Sequence, residues 1–107
     1  MTASSEPRPL KGSDRKYLRG LAHRLKPVVY VGKTGLTPSV LAAIDEALEH
    51  HELIKIRFQG FKDQKREFAE TIAQDSRSEV VGTVGHIVIF YRQQPDPEKR
   101  EIRIPSH

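Results

Sequence analysis

At 107 residues, 36% hydrophobic and 30% charged, the chain has room for one domain with a modest core and a heavily solvated surface. It has no cysteine, no apolar run near the roughly 18–20 residues of a membrane span, and no apolar stretch in Met1–Leu10. Disulfides, thiol nucleophiles and Cys-based zinc sites are therefore excluded; no membrane partner or secretory signal is expected, and the cytoplasm is the expected setting.

Charge is unevenly placed. The net is +4, but residues 1–27 hold seven Lys/Arg against two acids, whereas residues 28–52 hold one against four. A basic front of this kind attracts polyphosphate, and it is also an ordinary solubility feature.

Met1–Pro9 reads as a flexible lead-in. Ser13 with Asp14 behind it predicts a helix start, and Pro27 sets its limit. Leu18, Leu21, Ala22 and Leu25 form its expected buried stripe. At about 100° per residue, Arg15, Arg19, His23 and Lys26 fall in one sector roughly 80° wide, turned away from that stripe. Gly20 weakens the helix by about 1 kcal/mol against Ala and is read as marking a close backbone approach.

Val28–Val31, short and β-branched, predicts a buried strand. The loop Gly32-Lys33-Thr34-Gly35 follows, and Thr37-Pro38 predicts an N-cap with proline at the first helical position. A second helix should run to about His50, with Val40, Ile44, Ala47 and Leu48 inward. Asp45, Glu46 and Glu49, with Glu52 at its end, read as a solvated acidic face. Leu53–Phe58 alternates Lys55 and Arg57 with apolar residues, predicting a strand with one wet face. A third helix is expected over Asp63–Asp75, with Phe68, Ala69, Ile72 and Ala73 inward. Glu79–Val84 and Ile87–Tyr91 form two strands around a Gly85-His86 turn. Gln93–Glu98, with two prolines, reads as an extended linker to Ile102–Ile104. The order is α-β-α-β-α-β-β: a single compact α/β domain with a mixed four-stranded sheet, parallel through the helical crossovers and antiparallel at the hairpin.

The Gly32–Gly35 loop is the most informative feature. Two glycines three apart permit a sharp turn and leave the backbone bare, and the second helix's positive end lies just downstream. Loop amides, free first-turn amides, Lys33 and Thr34 would together seat a phosphate. A plain βα turn that needs glycine for geometry would look the same. A nucleotide-binding P-loop is not supported, because its opening glycine would fall at Pro27. His50 and His51 are adjacent, which is poor chelating geometry, and are read as structural. No catalytic triad, carboxylate pair or cofactor motif is recognisable, so no enzyme activity, small-molecule substrate, cofactor or metal is expected. Trp is absent; Phe58, Phe68 and Phe90 sit in core patterns, which favours recognition of backbone and shape over successive base stacking.

The string LRGLAHRLKPVVYVGKTGLTPSVLAAIDEALEHHELIKIRF closely resembles the YhbY-like family, whose unit is the CRM domain (chloroplast RNA splicing and ribosome maturation). TVGHIVIFYR and KREIRIP match the same family's end, so the resemblance spans Leu10–Pro105. It implies the bacterial single-domain form, with the domain over 10–92 and an extension over 93–107. It also implies a fold similar to the C-terminal domain of translation initiation factor three. RNA is the implied partner, bound through a G-x-x-G loop likened to that of KH domains. Bacterial members are associated with precursors of the large ribosomal subunit, and plant members with group II intron splicing. Carried onto this chain, the RNA-binding residues are Gly32, Lys33, Thr34 and Gly35, supported by Arg15, Lys16, Arg19, His23 and Lys26. Lys62, Lys65 and Arg66 lie where only the general pattern matches. The competing readings are a protein adaptor using the acidic second helix, an RNA chaperone for non-ribosomal RNA, and an enzyme acting on RNA, which would need a cluster of reactive side chains around a pocket.

Overall fold

The computed structural model describes residues 10–60 and 64–105. The expectations for Met1–Pro9, Phe61, Lys62, Asp63 and His107 lie outside them.

The first helix, α1 (Gly12–Ala22), starts one residue earlier and ends four residues sooner than the sequence suggests. Its start is fixed by Asp14 rather than Ser13: the buried Asp14 carboxylate accepts the Lys11 amide at 2.9 Å. Near Gly20 the ladder tightens to i→i−3 bonds, His23 N–H to Gly20 O at 3.3 Å and Leu25 N–H to Ala22 O at 3.0 Å. Lys55 then donates its ammonium to Leu25 O at 3.0 Å, which fixes the chain beyond the helix end. The early stop splits the expected stripe. Leu18 and Ala22 are fully buried, while Leu21 and Leu25 are 40% and 41% exposed. Gly20 marks no close approach, since a Cβ there would meet nothing within 4 Å.

Strand β1 (Val29–Val31) leads into α2 (Pro38–His51) and β2 (Leu53–Phe58). The α2 start is as the sequence predicts: Pro38 opens the helix and the Thr37 hydroxyl accepts the Val40 amide at 3.2 Å. Next come α3 (Lys65–Ser76), β3 (Glu79–Val84) and β4 (Ile87–Tyr91). The sheet order is β1-β2-β4-β3, with β1 parallel to β2 and both other pairings antiparallel. The sheet is mixed, but only one crossover joins neighbours, because β4 inserts between β2 and β3. Gly85 has a positive φ and His86 does not, the signature of a type II′ hairpin turn.

Alternation along the strands feeds two cores on opposite faces. Val31, Ile54, Ile56, Phe58, Val88 and Phe90 meet Ile44 and Leu48 of α2 and Ala69 and Ile72 of α3. Leu53, Val81, Ile89 and Tyr91 meet Leu18 and Ala22 of α1, together with Leu10 and Ile104. The expected buried run Val28–Val31 is half correct. β1 is an edge strand, so Val29 and Val31 are buried but Val28 and Tyr30 are 48% and 57% exposed.

Glu52 corrects the solvated-acid reading. It is buried, and its carboxylate accepts the amides of Gln94 (3.0 Å), Glu101 (2.7 Å) and Ile102 (3.1 Å). These bonds hold Glu52 at φ 56°, unusual for a non-glycine residue, and strap the C-terminal segment to the domain. The stretch read as a linker contains a 3₁₀ turn, Pro97–Lys99, whose first amides are capped by Asp96.

Candidate nucleic-acid interface

The Gly32–Gly35 loop sits where β1 ends and α2 is about to begin. Its two glycines play different parts. Gly35 is buried with φ 73°, a conformation other residues rarely adopt, and it rests against the Phe68 ring. Gly32 has no positive φ, and a Cβ there would meet nothing within 4 Å. The fold therefore requires Gly35 and leaves Gly32 unexplained by geometry.

The donors are fewer than four loop amides plus a free helix end. Gly35 N–H closes the turn onto Gly32 O at 3.0 Å, Thr37 N–H goes to Gly35 O at 3.1 Å, and the Val40 amide belongs to the Thr37 cap. What is left is the tip. Lys33 and Thr34 are exposed, and their amides have no hydrogen-bond partner among the described residues. Ser39 adds a first-turn amide whose i−4 residue lies outside the helix.

The basic sector assigned to the first helix is broken by the early helix end. Arg15, Lys16 and Arg19 are on α1, and His23 is its C-cap with helical dihedrals. Lys26 lies beyond it, on the rim of an apolar concavity of about 550 Å³ lined by Leu21, Leu25, Val28 and Ile102. Arg19 is laid across β3, with its guanidinium donating to Val81 O at 3.4 Å. Its stem passes so close to Gly82 that a Cβ there would come within 2.8 Å of Arg19 Cδ. The close backbone approach predicted at Gly20 is thus found at Gly82.

On α2 the acids divide between structure and solvent. Arg92 binds Asp45 at 2.7 Å and Glu49 at 3.5 Å and also donates to Ser76 O, tying α2 to the end of α3. Glu46 is exposed. His50 and His51 are exposed with rings edge to face at 6.3 Å, and no group of three or more metal-capable side chains occurs among the described residues. Lys65 donates to Gly85 O, which joins the start of α3 to the β3–β4 turn, while Arg66 pairs with Glu70 in solvent at 3.6 Å. No helix among the described residues is long and apolar enough to cross a membrane.

Sequence reasoning missed one arrangement entirely. On the sheet face bearing α1, Tyr30, Arg57, Ile87 and Val84 stand in one row across all four strands, because Tyr30 pairs with Arg57, Arg57 with Ile87, and Ile87 with Val84. Helix α1 covers the other half of that face, leaving Tyr30, Arg57 and Val84 exposed. The alternation of Lys55 and Arg57 signalled a wet face on β2, but neighbours in a row depend on register, which single-strand patterns do not carry.

Comparison with known proteins agrees with this fold. Residues 10–92 match the model of the CRS1 / YhbY (CRM) domain. An RNA-binding protein of Haemophilus influenzae is 40% identical over 97 residues, covering 90% of this chain and 95% of the relative. The Bacillus subtilis protein named "Probable RNA-binding protein YqeI" is 36% identical, covering 90% and 99%. Staphylococcus aureus SAV1595, a hypothetical protein solved in solution for which RNA binding has been put forward, superposes with a TM-score of 0.75 at 36% identity, covering 89% of this chain and all of that one. With the match running from α1 through β4 and the same fold in a solved relative, this chain belongs to the CRS1/YhbY (CRM) domain family.

Proposed function

We propose that the domain binds structured RNA without catalysing a reaction on it, using the tip of the Gly32–Gly35 turn as a phosphate seat. The observation that carries this reading is the pairing of two exposed, unpartnered amides (Lys33 and Thr34) with a glycine at position 32 that the fold itself does not demand. Bare backbone beside free amides at a helix start suits a phosphate oxygen, and Lys33 adds a charge there. Arg15, Lys16, Arg19 and Lys26 supply neutralising charge on the α1 side, and the His23 ring adds a hydrogen-bonding group there. The relatives in Haemophilus influenzae and Bacillus subtilis carry RNA binding in their names. Ribosomal RNA of the large subunit during its assembly in the cytoplasm is the target we infer, from the bacterial members that the sequence resembles.

The structure sharpens the choice of variant. Gly35→Asp would strain the turn, whereas Gly32→Ala adds a methyl in open space and leaves the fold intact. We expect Gly32→Ala to weaken binding to a ribosomal RNA fragment about tenfold, the scale of one charge-assisted hydrogen bond. Lys33→Ala should lower the slope of log affinity against log salt by about one contact. Wild-type affinity in both variants, or an affinity indifferent to salt, contradicts the proposal. An adaptor role for α2 is less favoured, because Asp45 and Glu49 are already held by Arg92. Crosslinking in cells separates ribosomal from other RNA targets.

A further inference from the structure

We propose that the open row Tyr30–Arg57–Ile87–Val84 is a second RNA contact, one that takes a single unpaired nucleotide beside the phosphate seat. This rests on the RNA-binding reading above. Tyr30 is 57% exposed and Val84 63%, and the side chains of Tyr30 and Arg57 have no hydrogen bond, ion pair or ring contact among the described residues. Three strand spacings make the row about 14 Å wide, room for two or three nucleotides, with a ring at one end and aliphatic side chains at the other. Among the described residues, three positive side chains lie on or beside it: Arg57 within the row, Lys55 one pleat below on β2, and Arg19 across Gly82. The nearest acid on β3, Glu79, is at the strand's far end with its carboxylate on the Leu10 amide at 3.2 Å.

A row both apolar and cationic, with no acid among its own four residues, fits a base with its phosphate better than it fits a protein segment. It fits an unpaired base in particular, because bases inside a duplex have no free face for Tyr30 to stack on. Tyr30 is two residues from Gly32, so strand and loop are continuous and one RNA chain can reach both. Base stacks on Tyr30; the adjacent phosphate meets Arg57. A lone aromatic gives one stacked base, not a run of them.

The test uses the full chain and two probes: a single-stranded oligonucleotide, and a hairpin of the same length with a fully paired stem and a minimal loop. Tyr30→Ala should weaken the single strand about tenfold, the scale of one base–aromatic stack. It should leave the hairpin within about twofold and the salt slope unchanged. Tyr30→Phe should restore single-strand binding, and Arg57→Ala should lower the single-strand slope by roughly 0.7. Equal loss on both probes, or no recovery with Phe, overturns stacking. Unchanged RNA binding in Tyr30→Ala alongside loss of a concentration-dependent dimer assigns the row to a second copy instead. If Gly32→Ala and Lys33→Ala act as expected while Tyr30→Ala does nothing, this inference alone fails; if wild type binds neither probe, the functional reading fails with it.

Discussion

The two faces of the sheet use the same alternation of apolar side chains and end in opposite states. The face under α2 and α3 is closed over β2 and β4, with Ile56, Phe90 and Val88 each no more than 1% exposed. The face under α1 is closed only toward Leu53, Ile89 and Tyr91, since an eleven-residue helix stops before the row at Tyr30 and Arg57. Periodicity says which side chains share a face, whereas helix length decides how much of that face is dry.

Substitution of equivalent aliphatic residues on the two faces should separate them most. Ile56→Ala, on the closed face, should destabilise the domain by about 3–4 kcal/mol in urea unfolding. Ile87→Ala, in the open row, should cost about 1 kcal/mol or less. Equal losses would mean that the open row is covered in solution.

The covered half of the α1 face depends on Glu52. Glu52→Ala leaves three amides without their acceptor and should cost about 3 kcal/mol, with faster proteolysis between residues 94 and 104. Glu46→Ala, on the exposed part of α2, should change stability by no more than about 0.5 kcal/mol.

A smaller effect comes from the dry half of the same face. Tyr91 is 4% exposed, and among the described residues its hydroxyl has no partner. Burial, reinforced by the Glu52 and Glu79 charges and opposed by Arg100, pushes its pKa up to about 12 from 10.0. The unfolded chain thus releases this proton at lower pH than the folded one. Stability from the neutral phenol is complete below about pH 10 and is lost as pH rises toward 12, by up to about 2 kcal/mol. Tyr91→Phe should flatten that alkaline decline; an unchanged pH profile would assign the loss to other groups.

Local chemistry was legible and distant chemistry was not. Thr37-Pro38 announced the start of α2, and Gly85-His86 announced the hairpin, because each signal lies within a few residues of what it controls. The chain just beyond α1 is held by Lys55 reaching Leu25 O from thirty residues away. Glu52 looked like one more surface acid because its partner amides lie 42 to 50 residues later. The position of β4 between β2 and β3 is likewise a long-range choice. At the site, the turn itself was readable, yet the unequal roles of Gly32 and Gly35 needed φ and neighbours. The helix sector of Arg15, Arg19, His23 and Lys26 assumed a longer helix than the chain forms.

Backbone amide chemical shifts during titration with a ribosomal RNA fragment test the central claim most directly. The account predicts the largest shifts at Lys33 and Thr34, with further changes at Gly32, Arg15 and Arg19 and none at Glu46. Shifts confined to the exposed acidic side of α2, with Lys33 and Thr34 unmoved, would contradict it.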